Sequence, residues 1–244
     1  MATKKDEVMA PQAAPAYLAN AGKEGLEDQL PVSQPTPRIK VVQAQSAKEL
    51  REEFAVGTML LQPDNVVIAP PRAKVVATPL LRWLSWQHQR DRKDQSGFWI
   101  LEETLEPASR IAIKAKTFET RTEPYGDGSE MTYKFVECIN FLVLIEDGEC
   151  AGSPAVLTFS KGGHKYGANL ERYLQRRNIP IYGNRLELWT DEVVNKNDDA
   201  WEQVLFGAPK SPFVPEGDVE RLKALHLEFK QMYEAGAISV AAEE

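Results

Sequence analysis

SKGGHKYGANLERYLQRRNIPIYGNR, Ser160 to Arg185, places a helix in a chain otherwise dominated by strand patterns. It opens as a flexible, basic Gly-rich turn carrying Lys161, His164, Lys165 and Tyr166. From Ala168 to Arg177, the 3–4 spacing of Leu170, Tyr173 and Leu174 marks the buried face of a short amphipathic helix. Six cations (Lys161, Lys165, Arg172, Arg176, Arg177 and Arg185) oppose one acid, Glu171, within a chain of net charge −7. A solvated helix face accounts for three of the arginines. Lys161 and Lys165, set beside glycines and a tyrosine, fit the wall of a surface that tracks an anion.

The strands follow from the flanks of this segment. Met131–Ile145 (MTYKFVECINFLVLI) becomes apolar on both faces, as a central strand must, and Asp147-Gly148 turns it back into Ala155–Ser160. Arg185–Thr190 and Trp201–Phe206 read as two short strands joined by a polar loop. Earlier in the chain, Arg38–Gln43, Val66–Ile68, Lys74–Trp86 and the alternating Arg110–Phe118 read as strands, with Pro79 confining the third to an edge or a bulge. Ser46 and Glu49 form a capping box for a short helix through Phe54. A Pro-broken linker precedes a last helix, capped by Asp218, with Val219, Leu222, Leu225, Phe229, Met232 and Tyr233 on a stripe that must dock on something.

This order predicts a mainly β fold with α: an OB-fold-like five-stranded barrel with extra strands, one internal helix between its third and fourth strands, an extended N-terminal arm and a C-terminal helix. Other small β-barrels or an α+β sheet fit the same order. The domains are a flexible Pro-rich arm over 1–37, a barrel over 38–208, and a linker, helix and acidic tail over 209–244. The arm holds Pro11, Pro15, Pro31, Pro35 and Pro37 and too little apolar surface to offset chain ordering.

With 244 residues and 43% hydrophobic content the chain can bury a core. It has no run of eighteen apolar residues and no apolar signal-peptide core at its start, which predicts a soluble cytoplasmic protein with no membrane contact. Cys138 and Cys150 form no metal or disulfide framework, and His88, His164 and His226 share no ligand spacing, so neither a metal nor a cofactor is expected. Ser160-Lys161-Gly162-Gly163 lacks the spacing of a phosphate loop. Glu137 and Glu187 are the acids left open for a metal-dependent nuclease, provided that they converge.

Binding a single strand without regard to sequence takes a groove of cations for phosphates and aromatic faces for bases. A second basic run, Arg72 to Trp99, interleaves cations with Trp83, Trp86 and Trp99. The candidate aromatics are Trp83, Trp86, Trp99, Tyr125, Tyr133 and Tyr166; the candidate cations are Arg90, Arg92, Lys93, Lys114, Lys116, Arg121, Lys161, Lys165, Arg172, Arg176 and Arg177, with His164 beside them. Lys114 and Lys116 share a strand face by their offset of two. Trp83 and Trp86, three apart, cannot both face inward on a regular strand, so one is expected outside. Trp189 and Trp201 are expected in the core.

Pro37-Arg38-Ile39-Lys40-Val41-Val42-Gln43, with Ser46 shortly after, Gly57 following Phe54, and the late order of basic loop, helix and strand pair resemble a group of bacteriophage proteins that includes single-stranded DNA-binding proteins with an OB-fold. The resemblance covers residues 37 to 210. Many of that group carry extra Cys pairs in the middle region, which this chain lacks, so a zinc-dependent version is not implied. The resemblance implies a non-catalytic single-stranded DNA-binding protein serving phage DNA replication or recombination in the host cytoplasm. From Glu187 onward thirteen acids face five bases, and this acidic end would recruit replication or recombination proteins or occupy the basic groove. The alternative is a structural or assembly protein that forms homo-oligomers through its N-terminal arm and C-terminal helix.

Overall fold

The structure, a computed structural model, describes residues 36–91, 99–105, 118–124, 130–196, 198–236 and 238, with 88–91, 99–105, 118–124 and 130–135 described by their backbone alone. The chain divides into Met1–Gln34 and Pro35–Glu244, and all described residues belong to the second unit.

The fold is mainly β with α. Its described elements are β1 (Arg38–Val41), α1 (Lys48–Glu53), β2 (Met59–Gln62), β3 (Val66–Ala69), β4 (Val75–Asp91), β5 (Trp99–Leu105), β6 (Phe118–Pro124), β7 (Glu130–Ile145), β8 (Pro154–Ser160), α2 (His164–Arg177), β9 (Leu186–Val194), β10 (Ala200–Gly207) and α3 (Glu216–Glu234). One mixed, curled sheet runs in the order β10-β9-β4-β7-β8-β1-β2-β3, with β5 added beside β4 and β6 beside β7. Its neighbours are antiparallel except β1 and β8, which are parallel.

The centre is the ladder of β4 and β7, paired from Ala77↔Ile145 to Arg90↔Tyr133. Alternation along β7 sends Ile139, Phe141, Val143 and Ile145 to the inner face of the curl and Leu142 and Leu144 to the outer one. The inner core closes on Leu170 and Leu174 of α2, with Phe141 edge-on to Phe159 at 6.1 Å. The outer core closes on α3. Leu222, Leu225, Phe229 and Tyr233 cover Leu80, Leu81, Trp83, Leu142, Leu144 and Val156, and the His226 Nδ1–H donates to the Leu80 carbonyl at 2.7 Å. Fully burying a side chain such as Leu222 is worth about 1.5–3 kcal/mol, and the half-buried Leu225, Phe229 and Tyr233 add to it, so this helix is held by its own sheet.

Side chains draw the two ends of the curled sheet together. The Gln43 amide, just past β1, donates to the Glu202 carbonyl at 2.7 Å and accepts from the Glu202 N–H at 2.9 Å, pairing with β10 as a strand would. Thr190 donates to the Gly57 carbonyl at 2.6 Å and accepts from the Arg72 N–H at 3.3 Å.

Several expectations are corrected here. Pro79 lies in a central strand, where the register shifts between Pro79 and Leu81; this is the bulge option, and it absorbs the missing N–H. β4 continues to Asp91, α2 begins at His164, and β9 runs on to Val194 into what reads as a polar loop. The capping box does not form: Ser46 Oγ accepts from the Gln43 N–H, and Ala47 sits at the helix start. Asp218 lies in the first turn of α3, behind Pro215 at the cap, and Met232 is exposed. β2 is an additional strand. Of the expected strand Arg110–Phe118, residues 110–117 lie outside the described residues and Phe118 opens β6.

Candidate nucleic-acid interface

β8 ends at Ser160, and the chain turns through Lys161, Gly162 and Gly163 directly into α2. Lys161 takes φ 49°, the left-handed region that an L side chain enters at a cost of about 1–2 kcal/mol. The glycines serve close packing, which corrects the flexible-turn expectation. A Cβ on Gly162 would sit 2.9 Å from the Trp201 ring, and one on Gly163 would sit 2.7 Å from Gln203 Oε1. The turn is thus pressed against β10. At the next residue, the His164 Nε2–H meets Glu137 Oε1 at 2.8 Å and ties the start of the helix to β7.

The faces of α2 carry different duties. Leu170 and Leu174 point into the core, and Glu171 holds Arg82 of β4 at 3.0 Å. Arg177, a candidate phosphate contact, is built into the structure instead. It donates to Asn184 Oδ1 at 3.2 Å and the Pro212 carbonyl at 2.8 Å, with its guanidinium 4.9 Å from the Tyr173 ring and 4.8 Å from that of Phe213. The outward face holds Lys165, Asn169, Arg172 and Arg176, all exposed, at the 4-3-4 spacing of one stripe about 16 Å long. Lys161, also exposed, lies one turn before it. Among the described residues none of these four cations is ion-paired, whereas Lys74, Arg82 and Arg185 pair with Glu187, Glu171 and Glu146.

The structure redistributes the aromatics. Trp83 is 4% exposed beneath Tyr233 of α3, ring centroids 5.5 Å apart, and Trp86 is 7% exposed. Neither offers a face for a base. Both rings are buried because the sheet is covered on both sides, which removes the need for one to be outside. Trp189 and Trp201, expected in the core, are half-buried. Trp201 lies on Gly162 and donates from Nε1 to Gln203 Oε1 at 3.2 Å; Trp189 lies under Lys74 Nζ, 5.3 Å from the ring centroid. The signal was available: Leu186, Leu188 and Thr190 alternate inward, so Trp189 between them must face out. Tyr166 is half-buried, with Lys165 Nζ 4.9 Å from its ring.

Beyond the curled part of the sheet, β5-β4-β7-β6 prolongs the long ladder. Arg121, Tyr133 and Arg90 stand in one row across β6, β7 and β4, and Trp99 pairs with Asp91. Arg92, Lys93, Lys114, Lys116 and Tyr125 lie outside the described residues.

The nuclease option loses its acid pair. Glu137 is opposite Trp86 and Glu187 opposite Val76, so ten residues of β4, about 30 Å, separate them. Among the described residues no three His, Cys, Asp or Glu side chains converge as a metal set, and no helix is long and apolar enough to cross a membrane. Burial raises the Cys150 thiol above its ordinary pKa, helped by Glu149. Burial also raises Glu202, with Glu192 and Asp191 adding repulsion that Arg72 partly offsets. Comparison with known protein families, curated proteins and solved structures finds no match for this chain.

Proposed function

We propose that this chain is a non-catalytic single-stranded DNA-binding protein built on an OB-fold. The connectivity supports the fold once β5 and β6 are set aside as an insertion between β4 and β7: β4, β7 and β8 are antiparallel neighbours in the sheet, α2 follows β8, and β9 returns to pair with β4 before turning into β10. That is the strand and helix order of the OB barrel. The turn after β8 packs against Trp201 and Gln203 of β10, where such a barrel closes. β1, β2 and β3 then extend the sheet from the free side of β8. A role in phage replication or recombination rests on the resemblance of residues 37–210, and recruitment of partners rests on the excess of acids from Glu187 onward.

The observation that carries the binding reading is the exposed face of α2. Lys165, Arg172 and Arg176 repel one another, and among the described residues no acid pairs with them. Folding gains only the helix-dipole contact of Arg176 in the last turn, whereas a polyanion would gain from all three. The assembly alternative needs a C-terminal helix free to lock a neighbour, whereas Leu222, Leu225, Phe229 and Tyr233 of α3 pack on this chain's own sheet, which leaves Leu227 and Met232 exposed.

Titration with oligo-dT, followed by tryptophan fluorescence at two salt concentrations, tests the reading. Binding that weakens steeply with salt is expected. No response at low salt, with stable large oligomers by light scattering, would replace it with the assembly reading.

A further inference from the structure

An OB barrel offers a single strand the outer face of its second and third strands. In this chain those strands are β7 and β8, and α3 occupies their outer face at Leu142, Leu144 and Val156. Leu142, Leu144 and Val156 are 0%, 7% and 1% exposed beneath Leu222, Leu225, Phe229 and Tyr233 of α3. Trp83, the ring on that face best suited to stack a base, is covered by Tyr233. The strand therefore needs another track.

Resting on the single-strand reading above, we infer that the DNA backbone runs along the outward face of α2, over Lys161, Lys165, Arg172 and Arg176, with a base stacked on Trp201 at the start of the helix. Three observations converge. The stripe is straight, exposed and free of acid partners among the described residues. Its length of about 16 Å suits roughly three successive phosphates of a partly extended strand. Trp201 is pressed against Gly162, one residue from Lys161, so an aromatic ring lies beside the first cation of the track. Trp189 is a weaker platform, because Lys74 already lies over its ring.

The contacts are two lysines, two arginines and a π-face, and no partner among the described residues fixes either guanidinium toward a base edge, so the site reads the backbone and tolerates any sequence. Arg177 is excluded from the track because its guanidinium is bound between Tyr173, Phe213, Asn184 and Pro212.

The test uses the full chain and oligo-dT. Lys165→Glu, Arg172→Glu and Arg176→Glu are combined in one variant; Arg90→Glu with Arg121→Glu on the β4–β7 extension forms a second. The α2 variant should bind at least tenfold more weakly at low salt, with its salt dependence shallower by about 2 in log–log slope for three lost phosphate contacts, and keep its melting temperature. Trp201→Phe should lose most of the fluorescence quenching while binding remains measurable by anisotropy. If wild-type protein binds oligo-dT and the α2 variant binds equally well, the track is wrong while the single-strand reading stands. Loss confined to the Arg90/Arg121 variant also overturns the track and moves the strand to the extension. If wild-type protein does not bind at all, both the track and the function reading fail.

Discussion

α2 and α3 are both amphipathic helices packed on the same sheet, one on each side, and they differ in what they leave outside. α3 carries Arg221, Lys223 and Lys230, each within 4 Å of an acid one turn away: Asp218, Glu220 and Glu234. Such pairs add about 0.2–0.5 kcal/mol each and neutralise the cations of this helix. α2 carries Lys165, Arg172 and Arg176 with no such partners among the described residues. Both helices bury leucines for stability, so their inner faces say little about function. The difference lies outside: on α3 every Lys and Arg is paired and the two acids left over, Glu216 and Glu228, make the surface net negative, whereas on α2 the outward cations are left for an external charge.

Substitutions can break or sharpen this contrast. The largest effect is expected at Trp83, which α3 covers. Trp83→Ala should cost about 3–5 kcal/mol of stability by chemical denaturation, with the affinity of the folded protein for oligo-dT unchanged. Lost affinity at intact stability would make Trp83 a base platform and reverse the roles of the two faces. Gly167→Ala should come next. Its Cβ would lie 2.7 Å from Phe159 Cβ, so α2 must shift off the sheet at about 1–3 kcal/mol, read as a lower melting temperature. Gln43→Ala removes both hydrogen bonds to the Glu202 backbone and should cost about 1–3 kcal/mol, with earlier amide exchange in β10 as a local readout.

A smaller effect is expected at Glu202, whose pKa is raised by burial and then by Glu192 and Asp191. At neutral pH the carboxylate is ionised in both states and the folded state disfavours its charge. That penalty disappears as the pH falls through the raised folded pKa towards the ordinary unfolded one. Glu202→Gln should therefore melt higher than wild type at pH 7, and the gap should close by about pH 4. A gap that widens towards low pH would contradict it. The smallest change in stability is expected for Lys165→Glu alone, near the start of α2. An acid there suits the helix dipole, so a gain of only about 0.3–1 kcal/mol should accompany weaker DNA binding.

Much of the fold could be read from hydrophobic pattern. The two-faced apolar run of β7, the return of β8 and the leucine spacing of α2 each follow from local periodicity. What could not be read depends on distant coverage. Trp83 and Trp86 sit three apart on a regular stretch of strand, and only the docking of α3 opposite the inner core lets both be buried. The glycines of the turn looked flexible because their neighbours in sequence are polar; the partners that require them, Trp201 and Gln203, are some forty residues away. Arg177 looked like its neighbours Arg172 and Arg176, and only the loop carrying Pro212 and Phe213 distinguishes it. β2 escapes a pattern reading because Met59-Leu60-Leu61 has neither the period-2 alternation nor the β-branched residues that mark the equally short Val66–Ala69.

The most direct measurement is photocrosslinking of bromodeoxyuridine-substituted oligo-dT to the full chain, followed by peptide mapping. Adducts on residues 161–176 and on Trp201 are expected, with α3 unlabelled. Adducts on α3 or the strands beneath it, or none at a concentration where the oligonucleotide is bound, would contradict a strand carried by the outward face of α2.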